Sequence, residues 1–233
     1  MTADRRKGSV PMRTEAVFFD LYETLITEFE DGRRRSKRAY DYDGLLGLSA
    51  ETFKAEWSAR QTRRMNGTFR DYPDVLRDIL AARGLAVDDR AVRFLHESRL
   101  EEKRIPFAPI REDVLALLAR LRAQGIKLGL ISNCAREEVD AWESSELAPH
   151  FADRVFSFEA GCSKPDEAIY RLACGRMGVR PEACVFVGDG GSRELEGAER
   201  AGMRAFHAYW YNTHIESAYP KLTAPLELLR VLG

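Results

Sequence analysis

No stretch of this chain approaches the ~20 consecutive apolar residues that a membrane-spanning helix requires, so no membrane partner is expected. Cysteine is scarce. Cys134, Cys162, Cys174 and Cys184 show no CxxC spacing and keep no histidine-rich company. That pattern speaks against a disulfide framework and against zinc, and free thiols in a reducing cytoplasm are the expectation. Charge of a single sign is lacking too: 36 Lys and Arg nearly cancel 37 Asp and Glu, so no overall charge points to nucleic acid or an anionic surface. The opening MTADRRKGSVPMR has no apolar signal-peptide core, and residues 1–13 read as a flexible basic tail. Internal repeats and low-complexity segments are absent.

What remains is a chain of 233 residues, 45% hydrophobic, long enough for one full core or for a domain carrying a smaller insertion. Its most telling stretch is Glu15 to Ile26, EAVFFDLYETLI. The apolar run Ala16 to Phe19 reads as a buried strand, and it delivers Asp20 at its end. An unpaired carboxylate there is badly placed for stability. It is well placed for chemistry, because open α/β sheets keep their sites at the carboxyl edge.

The polar segment from Glu28 to Tyr40, with Arg33, Arg34, Arg35, Lys37 and Arg38 crowded together, reads as a solvated loop or as a basic lip that attracts an anion. From about Ser49 to Lys103 the pattern is helical throughout, with helices expected after Ser49, over 74–83 and over 88–103. Pro106 and Pro109 then bracket a return linker. Beyond it, helices and strands alternate as in βαβ units. Helices are expected over 112–124, 136–144, from about Pro165, and over 194–201; strands over 126–131, 154–158, 185–187 and 204–207. The segment Ala208 to His214, AYWYNTH, follows the last strand and is placed at the site's edge or in a dimer contact, so both monomer and homodimer stay open.

Polar groups end these strands: Asp20, then Ser132 and Asn133, then Asp189, with Lys164 a short loop after the strand over 154–158. In a parallel sheet such ends share one edge. Asp20 and Asp189 facing each other would repel unless a cation lay between them. With Glu194 one turn into the next helix, they suit Mg²⁺, a hard ion that prefers oxygen. Ser132 and Lys164 can neutralise an anionic oxygen, leaving Asp20 free to attack as a nucleophile.

As a set, these motifs resemble the haloacid dehalogenase superfamily, in its branch with a helical cap inserted after the first motif. FFDLYETL resembles the first motif, LISN the second, SKP the third and VGDGGSRELEGAERAGM the fourth. The resemblance implies a Rossmann-like, doubly wound, mainly parallel α/β core over 14–27 and 107–233, with a small all-helical cap over 28–106. It implies Asp20 as nucleophile, Ser132 and Lys164 in catalysis, and Asp20, the Tyr22 carbonyl, Asp189 and Glu194 around Mg²⁺. Asn133, Tyr22 and the cap's Arg60 are taken as substrate contacts. One position departs from the pattern: phosphatases of the superfamily carry a second Asp two residues after the nucleophile, and here that residue is Tyr22. A Tyr there resembles the 2-haloacid dehalogenases, whereas Asp189 with Glu194 resembles the metal-dependent phosphatases. A phosphatase of small phosphomonoesters, a 2-haloacid dehalogenase-like hydrolase, and a binding or regulatory protein without turnover all remain readings at this point, the first favoured by the acids.

Overall fold

The computed structural model describes residues 13–36 and 40–232; the expected basic tail, Arg13 excepted, and Lys37 and Arg38 of the basic cluster lie outside them. Six parallel strands form the main sheet: β1 (Ala16–Phe19), β4 (Lys127–Ser132), β5 (Asp153–Phe156), β6 (Cys184–Gly188), β7 (Arg204–Ala208) and β8 (Lys221–Leu222). They lie in the order β5-β4-β1-β6-β7-β8. The chain winds outward from β1 in one direction, returns to its other side, and winds outward again. The switch point therefore falls between β1 and β6, where such folds open a crevice beyond the strand ends.

All four residues of β1 are buried, and alternation splits them between two apolar layers. Val17 and Phe19 pack with α6 (Glu112–Ala123); Ala16 and Phe18 pack with α8 (Glu167–Met177) and α9 (Glu194–Arg200). A third apolar cluster lies in the helices between β1 and α6, namely α1 (Tyr42–Leu46), α2 (Ala50–Ala59), α3 (Gln61–Met65), α4 (Tyr72–Ala82) and α5 (Asp89–Arg104). Its centre is Leu76, Ile79, Leu80 and Leu95, all fully buried. Gly67, just past α3, adopts φ +75° against the Phe158 carbonyl, where a β-carbon would lie 2.1 Å from the oxygen. No side chain fits at that approach of the helical insertion to the sheet domain.

Three stretches differ from expectation. Residues 29–34 hold a small antiparallel hairpin, β2 (Phe29–Glu30) with β3 (Arg33–Arg34), turned by Asp31 and Gly32 at positive φ. The helix expected over 136–144 is two 3₁₀ turns, Arg136–Glu138 and Trp142–Ser144. Glu137 and Glu138 are drawn into ion pairs with the insertion, and Glu138 also accepts the Ala135 N–H at 3.0 Å, which breaks regular winding. The strand expected to reach Phe158 stops at Phe156 and turns into the one-turn α7 (Ser157–Ala160), which Gly161 ends.

Candidate active site

Asp20 follows β1 and Asp189 follows β6, so the register that pairs Phe19 with Val187 sets the two carboxylates on neighbouring strand ends. The Asp20 N–H donates to the Val187 carbonyl at 2.9 Å, fixing that turn. Glu194 opens α9, and its carboxylate lies over Gly188; a β-carbon there would come within 2.1 Å of Glu194 Oε1. Glycine at the end of β6 thus makes room for the third acid. Oxygens of Asp20, Asp189 and Glu194 all fall within 4.8 Å of one another, and all three residues are buried.

Lys164 is the cation among them. Its ammonium donates to Asp20 Oδ1 and, at 2.5 Å, to Glu194 Oε2. Burial disfavours the charged ammonium, yet Asp20 and Glu194 outweigh it and hold its pKa above the ordinary value. Burial raises the pKa of Asp20, with Asp189 adding to the rise and Lys164 opposing it, and it pushes Glu194 well up for the same reasons. Three buried carboxylates against one ammonium leave an excess of negative charge. An all-oxygen donor set with that excess fits a hard divalent cation. Thr24 donates to Asp20 Oδ2 at 3.3 Å, and Asn212 donates to Asp189 Oδ2 at 2.8 Å, so the segment after β7 does reach the site.

The other expected residues divide. Ser132 ends β4, buried, one strand from Asp20. Asn133 clamps the backbone of Lys164: its amide donates to the Lys164 carbonyl and accepts the Lys164 N–H, both at 2.8 Å. That makes it a residue that positions Lys164, and it also lines the neighbouring cavity. The Tyr22 hydroxyl donates to the Glu138 carbonyl at 2.5 Å; burial first, then Glu138 and Glu28, drive its pKa far up. The phenol stays neutral and cannot act as a base. Glu23, next to it, accepts Thr27 Oγ1 at 2.6 Å and the Glu28 N–H at 2.9 Å. Arg60 is placed apart from this group. It is buried in the insertion, where Asp78 at 2.6 Å and Glu56 at 2.5 Å take up its guanidinium, and it does not line the cavity. Glu56 one helical turn before it and Asp78 across on α4 meet its donor fork first.

That cavity, about 430 Å³, lies between the insertion and the sheet edge, with Tyr22, Asn133 and Ser192 on one wall and Trp57, Arg64 and Lys103 on the other. Arg99 pairs with Glu137 at 2.8 Å and Glu138 at 3.1 Å; Lys103 pairs with Glu28 at 2.9 Å and Glu138 at 3.1 Å. Within the basic cluster, Arg34 pairs with Glu28 at 2.5 Å and Arg35 donates to the Ala108 carbonyl at 2.8 Å.

A buried strand-end carboxylate, a buried lysine and two further acids at a switch point agree with a sequence comparison in which the haloacid dehalogenase-like hydrolase family matches residues 14–202. The chain belongs to the haloacid dehalogenase-like hydrolases. Two relatives of this hydrolase are the phosphoserine phosphatase of Thermus thermophilus, 31% identical over 81% of this chain and 74% of that protein, and the glyceraldehyde 3-phosphate phosphatase of Methanopyrus kandleri, 33% identical over 81% of each. A solved 2-haloacid dehalogenase from Pseudomonas syringae shares the fold, with a TM-score of 0.67 at 24% identity over 94% of this hydrolase and 97% of that chain. No helix among the described residues is long and apolar enough to cross a membrane.

Proposed function

We propose that this hydrolase is a Mg²⁺-dependent phosphatase of small phosphomonoesters. The observation that carries the reading is the buried trio Asp20, Asp189 and Glu194 around Lys164. Asp20, Asp189 and Glu194, with the Tyr22 carbonyl, would hold the ion, which when bound supplies charge neutralisation at the transferring phosphoryl group. Asp20 attacks phosphorus, forming the Asp20 O–P bond while the bond to the alcohol oxygen breaks. Lys164 and Ser132 hold the non-bridging oxygens. Water then cleaves the aspartyl-phosphate, returning Asp20 and inorganic phosphate. The helical insertion over 28–106 serves as a cap that shuts water out and meets the leaving group. Free thiols at all four cysteines agree with work in the cytoplasm.

Phosphate release from a phosphomonoester panel, with Mg²⁺ and with EDTA, tests the reading. Turnover is expected only with metal, and Asp20→Asn is expected to lower it at least ~10³-fold, as removal of a covalent nucleophile does. One observation favours a second reading: Tyr22 stands where a proton-donating acid would, and halide, unlike an alkoxide, leaves without a proton. Halide release from 2-chloropropionate in EDTA would move the assignment to a dehalogenase. Silence in both assays from folded protein would favour a non-catalytic role.

A further inference from the structure

Three cations face the cavity, and two are neutralised within the protein: Arg99 by Glu137 and Glu138, Lys103 by Glu28 and Glu138. Arg64 on α3 differs. It is only 6% exposed, and among the described residues no carboxylate or other acceptor partners its guanidinium; Nε is buried with no hydrogen bond at all. It stacks on Trp57, whose ring centre lies 3.7 Å from the guanidinium carbon, while Glu138 and Glu137, already paired with Arg99, act on it only from beyond ion-pair distance. Arginine side chains are almost never this buried without an anion, and leaving one so is expensive. The stacked ring supports the cation from one face but accepts no hydrogen bond along its edge.

We infer that the substrate's leaving group carries a carboxylate, and that Arg64 is the residue that binds it. This rests on the phosphatase reading for the other end of the substrate, at Asp20 and Lys164. Stacking on Trp57 covers a face of the guanidinium and leaves the coplanar N–H edge, which matches a planar carboxylate two-pronged. A second phosphate fits less well, because Glu23 lines the same cavity with no cation paired to it among the described residues and would repel a double charge. A cavity of about 430 Å³ suits a short phosphorylated hydroxy acid or amino acid.

Matched pairs differing at the carboxylate decide the matter: 3-phosphoglycerate against glycerol 3-phosphate, and O-phosphoserine against O-phosphoethanolamine. The wild-type enzyme is expected to favour the carboxylate member of each pair in kcat/KM by about 10²-fold, the scale on which a buried charge partner discriminates. Arg64→Met is expected to bring the ratio near one, chiefly through KM, and Arg64→Lys to restore part of it. Arg93→Met, at an exposed arginine of α5, is expected to keep the wild-type ratio. A ratio near one in the wild type, a preference for fructose 1,6-bisphosphate, or a ratio that survives Arg64→Met would overturn the inference. Binding is read separately by titrating tryptophan fluorescence with D-glycerate and with glycerol, because Trp57 stacks on Arg64. A response to glycerate alone, absent in Arg64→Met, supports the inference even if no phosphomonoester turns over and the phosphatase reading falls. No response to glycerate overturns it whatever the turnover.

Discussion

Tyr22 fills the position two residues after Asp20 with a phenol whose proton is already engaged by the Glu138 carbonyl, under the Lys103 ammonium 4.9 Å from its ring centre. It can support the cavity wall, yet its proton is directed at the Glu138 carbonyl rather than at a leaving oxygen, and a phenol that stays neutral cannot serve as the base that activates water. Tyr22→Asp restores a carboxylate within reach of the leaving oxygen and is expected to raise kcat on alkyl phosphates about 10²-fold, the lower end of what positioned proton transfer supplies. The same change orphans the Glu138 carbonyl and should lower stability by about 1–3 kcal/mol. Stopped-assay kinetics with urea unfolding separates the two effects; lost stability without a gain in kcat would show that proton transfer is not what the site lacks. At this scale the grouping of the residues was legible because strand-end polar groups in parallel sheets must converge: Asp20, Asp189, Glu194 and Lys164 meet as their spacing implies. Arg60 was not legible, since its pairing with Asp78 depends on how α2 and α4 cross. Thr24 and Asn212 lacked any pattern of their own, although the segment holding Asn212 stood out as aromatic and adjacent to the last strand.

Among the elements, α5 joins the insertion to the sheet domain through a change of character along one face. Ala91 and Leu95 pack in the insertion's apolar cluster, and Arg99 and Lys103 continue the same four-residue spacing with charge. A stripe that turns from apolar to charged while staying buried marks an ionic seam; the four-residue spacing is visible in the sequence, the burial of its charged end only in the structure. Its partners were hidden, because 136–144 reads as a plain helix until Glu137 and Glu138 are seen bonded across to Arg99. The hairpin over 29–34 was announced by Asp31-Gly32, the dipeptide that favours both residues at positive φ, within a run whose charge drew attention elsewhere. The seam has a pH signature. Burial works against the Glu138 carboxylate, but Lys103 and Arg99 prevail and bring its pKa from 4.5 to about 2. A depressed folded-state value adds stability that is complete above the unfolded pKa and is lost as pH falls through the folded one. Glu138→Gln is therefore expected to cost about 1.5–3 kcal/mol at pH 7, the range for hydrogen bonds to charged groups. Its deficit against wild type should close between pH 4.5 and about 2 in urea unfolding. A deficit independent of pH would mean that packing, not charge, holds the seam.

For the molecule as a whole, the sheet order sets where chemistry is possible, because only at the β1/β6 boundary do two strand ends with outward-winding neighbours leave a crevice. That placement follows from hydrophobic strand patterning, and so the fold was readable along nearly the entire chain. The cavity above it was not, since it exists only once the insertion packs back through Gly67 on Phe158 and through α5 on Glu137 and Glu138. The same architecture makes global stability a gauge of the acid trio. Three buried carboxylates lie together with one ammonium that bridges only Asp20 and Glu194, and the native state alone assembles them; any cation they bind must stabilise it by linkage. At about 100 times its Kd, Mg²⁺ should add about 2.7 kcal/mol, which for a chain of this size corresponds to a rise in melting temperature of about 5–10 °C. Differential scanning fluorimetry in EDTA, then with excess Mg²⁺, reads this without any substrate. Asp189→Asn is expected to abolish the rise, because Asp189 would supply a ligand oxygen to the proposed ion and lies outside the Lys164 bridge. A rise that persists in Asp189→Asn would place the ion elsewhere on the molecule, and no rise in the wild type would leave Lys164 as the trio's counter-charge and remove the metal from the mechanism.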